Sequence, residues 1–243
     1  MSEKSRFAWI ANKSVQQILF IVLFLETLAI TLAIWGAIVT GHSPKAYFEE
    51  GGYMTILSCL QLLFGAYGAK KVFAIAKNSV DPSLYKNRRF WQIVSIGLVL
   101  LAFDDALGIH EYLDKLLHSL LDFKETDISD LLDDAIVGGY LLLFLIYVAS
   151  QWKTIQIFQR SFIYFQTGFI LTVVMIIFDA ASNNRLFVSM LSDNGDRQVF
   201  LQTWFGTFED SIKIYAEGLF LVGIYKCWRI AKSVNSKQLT INN

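Results

Sequence analysis

FDDALGIHE, residues 103–111, brings three carboxylates and an imidazole to the end of an apolar run that begins at Phe90. Asp104, Asp105, His110 and Glu111 are side chains that oxygen-preferring and borderline metals take. A divalent zinc, iron or manganese is therefore the first expectation, with calcium and magnesium also open. Later acids in apolar surroundings, Asp179, Glu209, Asp210 and Glu217, extend the candidate ligand set. A metal so held would activate water against an ester, amide or phosphodiester of a lipid-like substrate, with Glu111 or Asp105 as general base. Lys213 or Asn183 would steady the developing oxyanion. The same ligands around iron would support redox chemistry instead.

Ionisable groups inside a span cost about 2.5–3.5 kcal/mol each on insertion scales, so they face a bundle interior or water. At about 100° per residue, Asp104 and Glu111 share a stripe with Gly97 and Gly108, and Asp105 and His110 flank it on opposite sides. In FGTFEDSIKIYAEGLF (205–220), Gly206, Glu209, Asp210, Lys213 and Glu217 fall within one arc of about 100°. Phe205, Phe208, Tyr215 and Leu219 fall outside it, so the charged face must look into a bundle. Gly168, Thr172, Asp179 and Asn183 form a second such stripe, and Asp130, Asp134 and Gly138 a third. Glu26 lies near the middle of the first apolar run beside Ala33 and Ala37, a small-residue face suited to close packing.

The elements that would position these residues are membrane spans. About 20 apolar residues cross the hydrocarbon core, and six segments qualify: 17–39, 53–76, 90–112, 135–151, 162–182 and 204–228. The 243 residues are 54% hydrophobic and 17% charged, against about 25% charged in soluble domains. They read as one all-α domain, 1–243, a polytopic membrane helix bundle with six transmembrane helices. With the N-terminus inside, 15 of the 21 basic residues fall on the cytoplasmic side. That bias orients membrane proteins, so both termini are expected in the cytoplasm, in a bacterial inner (plasma) membrane.

Nineteen of the 21 acids fall on the other side or within the spans. Spans three and five run outward and four and six inward. Asp104, Asp105, Glu111 and Asp179 therefore meet Asp133, Asp134, Glu209 and Asp210 at one level near the extracytoplasmic face. Lys213 can neutralise only one of them, so cations or protons must compensate the rest. The loop 113–134 alternates leucines with acids at helical spacing and is expected as an amphipathic helix on the outer interface, placed to act as a lid. The segment before the first span carries no cleavage pattern and reads as a cytoplasmic tail. Cys59 and Cys227 fall near opposite faces, too far apart for a disulfide.

A net charge of zero gives no reason to expect nucleic acid. Membrane lipids are the expected surroundings, a lipid-like molecule or a small cation the expected ligand, and self-association stays open. His42 and His118 fall in outer loops, which excludes a closed His/Cys zinc site and argues against a bis-histidine haem. No serine-nucleophile motif, phosphate loop or dinucleotide fingerprint occurs. Three readings of the acids remain: a metal site, a proton or sodium site, and a hydrogen-bonded network that only holds the bundle together. The inner halves of the spans offer only Tyr67, Gln92, Ser95, Gln166 and Thr167 as polar lining. The site is expected as a blind cavity open to the outside, which favours an enzyme or sensor over a transporter.

The stretch FDDALGIHE resembles a pattern of uncharacterised bacterial multi-span membrane proteins. In these a span ends in Asp-[Asp/Glu], four residues, then His-Glu, and a later span carries paired acids. The resemblance covers Asp104, Asp105, His110 and Glu111, with Glu209 and Glu217 as the later acids. It implies a site at these residues and no particular reaction. Membrane hydrolases of the ceramidase type share the chain's size but rely on a His-x-x-x-His pair that is absent here.

Overall fold

The computed structural model describes residues 3–48, 51–109, 112, 113, 116, 120, 131–183, 190–192 and 194–241. Long apolar runs punctuated by Gly, Pro and Asn make helices joined by tight corners. α1 (Glu3–Thr40) leads through a 3-10 turn (Pro44–Tyr47) to α2 (Tyr53–Lys77). A short α3 (Pro82–Lys86) turns the chain into α4 (Arg88–Leu107). After α5 (Leu131–Ser150) come α6 (Trp152–Ile155), a 3-10 stretch (Gln156–Ser161), α7 (Phe162–Asn183) and α8 (Gly195–Ile241). Among the described residues there is no strand.

Four stretches are long and apolar enough to cross a membrane: Ser14–Thr40, Tyr53–Lys77, Arg88–Leu107 and Trp152–Ala181. They coincide with the first, second, third and fifth spans read from the sequence. The expected fourth span falls on α5, of which the stretch Leu141–Ser150 is apolar among the described residues. The expected sixth lies within α8, where Glu209, Asp210, Lys213 and Glu217 break the apolar run.

One boundary departs from the expected span 90–112. α4 stops at Leu107 because Gly108 takes the left-handed conformation (φ 57°, ψ 41°) and its N–H returns to the Asp104 carbonyl. This is the helix-ending role that glycine fills without a Cβ penalty. The stripe through Asp104 and Glu111 therefore does not continue along one helix. His110 and Glu111 lie outside the described residues, as does most of the expected loop helix 113–134. That loop also ends early, since α5 begins at Leu131.

The spine of the bundle is α8. Its 47 residues span about 70 Å at about 1.5 Å per residue, and it packs against α7, α2 and α1, while α2 packs against α4. Glycines make the close approaches: at Gly168 of α7 a Cβ would stand 2.9 Å from the Phe220 ring. One end of the bundle, the Trp91 end, is a dry core in which Val72, Leu84, Trp91, Phe158, Ile224 and Cys227 are buried together. Trp91 meets Phe158 and Phe90 edge-on at ring distances of 5.2 and 5.3 Å. Asn87, fully buried, ties the α3–α4 corner to α6 by donating to the carbonyls of Ser83 and Thr154, each at 2.7 Å. Toward the opposite end, the Asp105 end, Ala29 and Ala33 of α1 lie against Phe48, Met54 and Ile214, the close packing that the small-residue face implies.

Candidate functional site

From the Asp105 end toward the middle of the bundle, polar groups on α4, α8, α2 and α1 meet in sequence. Lys213 Nζ of α8 forms an ion pair with Asp105 Oδ1 of α4. The Asp105 side chain is 10% exposed and that of Lys213 36%. Cys59 of α2 lies beside the pair, its Sγ 3.4 Å from the Ala102 carbonyl and 3.7 Å from Asp105 Oδ2. One turn further along α8, Glu217 Oε1 accepts the Ser58 hydroxyl at 2.9 Å. Deeper still, Gln61 Nε2 donates to Glu26 Oε1 of α1 at 2.5 Å, and Glu26 is fully buried.

The local sequence explains these positions. Ser58 and Gln61 stand three apart on α2 and so share its inward face. Lys213 and Glu217 stand four apart on α8. Gly218 follows Glu217, and a Cβ there would stand 1.7 Å from Glu26 Oε1 and 2.7 Å from its Cδ. The Glu26 carboxyl thus occupies the space that any other residue at 218 would fill. A cavity of about 10 Å³ lies beside the network, lined by Thr55, Ser58, Asp210 and Lys213 with Phe48, Met54 and Ile214. That is room for about one water.

The candidate residues from the sequence divide into three groups. Asp105, Lys213 and Glu217 enter the network, and Asp210 lines the small cavity with Lys213. Asp104, Asp179 and Glu209 are half-buried. Phe178 packs on Phe205 and Phe208 at ring distances of 6.0 and 5.0 Å, so Asp179 and Glu209, the next residues to Phe178 and Phe208, stand at similar levels on α7 and α8. His110, Glu111 and the side chain of Asn183 lie outside the described residues. Asp133 and Asp134 fall on α5 and their side chains also lie outside.

Two of the roles considered for these residues meet the geometry directly. Asp105 as a general base and Lys213 as an oxyanion partner are engaged with each other. Among the described residues, no three of His, Cys, Asp and Glu stand close enough to share a metal ion. One oxygen of each of the three carboxylates is engaged, Asp105 by the ammonium, Glu217 by the serine hydroxyl and Glu26 by the amide.

Sequence reasoning placed Glu26 only in a packing face and passed over Ser58, Cys59 and Gln61. The available signal was the polar pair at i, i+3 within the otherwise apolar α2. Its bearing on Glu26 depends on how α1, α2 and α8 pack, which no single-helix periodicity contains.

The chain belongs to a family described as a domain of unknown function (DUF8692), whose model matches residues 18–227. No curated protein and no solved structure matches it.

Proposed function

We propose that this chain is an integral membrane protein that binds a cation from the extracytoplasmic side and acts as a sensor or coupling module, not as a conduit. In this reading the bundle has six spans, both termini are cytoplasmic and the Asp105 end faces outward, in keeping with the basic residues flanking the opposite ends. The observation that supports it is the line from Asp105–Lys213 through Glu217–Ser58 to Glu26–Gln61. Intramembrane ionisable groups mark ion or proton sites by default. The aromatic core at the Trp91 end fills the half of the bundle that a through-path would need.

The test is cation-dependent thermal stabilisation of the full chain in lipid nanodiscs, with cation flux measured in proteoliposomes. Saturable stabilisation that Asp105→Asn alters, with flux no greater than in empty liposomes, supports a binding module. Flux above that background refutes it in favour of a transporter.

A second reading, metal-dependent hydrolysis of a lipid-like substrate, is favoured by one feature. Leu60, Leu63, Phe64 and Tyr67 line an apolar groove of about 370 Å³ on α2, beginning one residue from Cys59 at the network. A zinc, iron or manganese ion there would need His110 and Glu111 in addition to Asp104. Stoichiometric metal in the purified protein, lost in Asp104→Ala, would favour this reading over the first.

A further inference from the structure

The acids nearest the middle of the bundle have fewer donors than acceptors. An ionised carboxylate only accepts hydrogen bonds. Glu26 spends Oε1 on the Gln61 amide, and its Oε2 is buried without a partner. Gln61 Oε1 and Glu217 Oε2 are also buried without partners. These three oxygens come from α1, α2 and α8 and belong to one locus. Gln61 bonds Glu26 directly, Ser58 three residues earlier bonds Glu217, and Glu26 presses on Gly218, the residue after Glu217. The Glu26 and Glu217 carboxyls interact electrostatically. Lys213, the ammonium of the network, is paired with Asp105 and also acts electrostatically on Glu217, four residues on along α8.

Three carboxylates, Asp105, Glu217 and Glu26, that share one ammonium carry a desolvation cost that it does not return in full. Orphan acceptors in a membrane interior add to that cost. What the locus lacks is a further positive charge that can be shared among oxygens. We propose that Glu26, Gln61 and Glu217 bind one small monovalent cation, a sodium ion or a proton. A sodium ion would take Glu26 Oε2, Glu217 Oε2 and Gln61 Oε1 as ligands. A proton would sit on one carboxyl and bridge to the other. A divalent ion that keeps several waters is disfavoured by the fit of Glu26 into the Gly218 notch. This inference rests on the cation-binding reading and assigns the site to residues deeper than the Asp105–Lys213 pair.

The experiment compares the full chain with Glu26→Gln in lipid nanodiscs. Gln fills the same space, and its amide can donate to Glu217 Oε2. Sodium-22 binding, with choline holding the ionic strength constant, reads the first source. The infrared carbonyl-stretch band of a protonated carboxyl reads the second. Saturable sodium binding weakened at least tenfold by Glu26→Gln supports a sodium site. A protonated-carboxyl band that Glu26→Gln removes supports a proton site. Gln61→Leu keeps both carboxyls and gives a readout independent of Glu26. It weakens sodium binding by about tenfold, the scale of one lost polar ligand, and leaves a proton band in place. Wild type and Glu26→Gln alike in both measurements overturns the site. A cation response that survives Glu26→Gln and disappears in Asp105→Asn also overturns it, while leaving the broader reading intact. No response of the wild type to any cation refutes both.

Discussion

α2, α4 and α8 meet twice, in two different ways. At the Trp91 end they interlock through Val72, Trp91 and Ile224, packed with Phe158 of the 3-10 stretch, apolar side chains with almost no exposed surface. At the Asp105 end the same three helices are joined by an ion pair, a serine-to-glutamate bond and a sulfhydryl contact. Dispersion among packed rings is insensitive to salt, pH and ligand. Matched charges in a low dielectric are sensitive to all three, because removing one partner leaves the other costly. The arrangement gives the bundle one end that holds it together and one end that can respond.

The largest expected effect therefore lies in the apolar core of the Trp91 end. Phe158 is 1% exposed and packs edge-on against Trp91. Phe158→Ala should lower the unfolding free energy by about 3–5 kcal/mol, the range for a large aromatic lost from a close-packed core, measured by denaturant titration in micelles. It should leave any cation response of the surviving folded protein unchanged. A lost cation response at full folding would show that the two ends are coupled.

Next comes Asp105→Ala. Stripping one partner from a buried pair costs about 3–5 kcal/mol. Because the Lys213 side chain keeps 36% of its exposure, solvent screening reduces the expected loss to about 1–3 kcal/mol. Lys213→Met in the same chain should recover most of it, since the stranded charge is then gone. A double variant no more stable than Asp105→Ala would mean that the loss comes from packing around α4 and not from the ammonium.

How far the sequence revealed this division can be argued from particular residues. The arc carrying Lys213 and Glu217 follows from helical periodicity alone, and the structure puts both in the network. The poverty of polar lining in the other half was also legible, because Val72 and Trp91 lie within the expected spans 53–76 and 90–112, whereas Phe158, in KTIQIFQRS between two expected spans, was not. The end of α4 was harder to see. By spacing Gly108 shares a stripe with Asp104 and Glu111 on a continuing helix, whereas its positive φ ends the helix there, and a lone glycine in a helical pattern does not declare which role it takes. Pairwise choice was not legible at all. Nothing in the spacing says that Lys213 pairs with Asp105, or that Glu26 turns toward Gln61. Those contacts depend on which helix faces align.

A smaller effect probes the responsive end through its packing. At Gly218 an added Cβ meets Glu26 Oε1, so Gly218→Ala must displace the carboxyl. Overpacking costs about 1–3 kcal/mol, and alanine returns about 1 kcal/mol of helix propensity. A net loss of about 1–2 kcal/mol is expected. Glu26→Ala should relieve the contact with the carboxyl and leave the one with Val22 Cγ1 at 2.8 Å, giving a coupling energy of at least about 1 kcal/mol in a double-mutant cycle. Gly68→Ala is the comparison nearer the Trp91 end. There the Cβ meets only Ile224 Cγ2, at 2.9 Å, a methyl on the β-branched carbon of a buried side chain, so a loss is expected there too, but one that Glu26→Ala does not relieve. Equal coupling to Glu26 at both glycines would remove the distinction between a notch shaped for a carboxyl and ordinary close packing.

The smallest effect belongs to the rim of the Trp91 end, where one carboxylate does respond to pH. Asp81 caps α3: its Oδ1 accepts from the Ser83 N–H at 2.7 Å and the Leu84 N–H at 3.3 Å, and from the Ser83 hydroxyl. The hydroxyl bond foremost, then the two backbone bonds, holds the Asp81 carboxyl below its usual value, about 3.9 for aspartate. Because the folded state prefers the ionised form, this stabilisation is fully present above the ordinary aspartate range and is lost as the pH falls through the depressed folded value. Asp81→Ala should therefore cost about 0.5–2 kcal/mol at neutral pH, the scale of a helix cap. The gap from wild type should close as the solution is acidified past that range. Asp81→Asn keeps an acceptor for the N–H groups, so it should lose less at neutral pH and show a flatter acid limb. Unfolding midpoints of the three proteins from neutral to acid pH decide the matter. A deficit for Asp81→Ala that stays constant with pH would mean that the corner is held by shape alone, and that the Trp91 end contains no titrating support even at its edge.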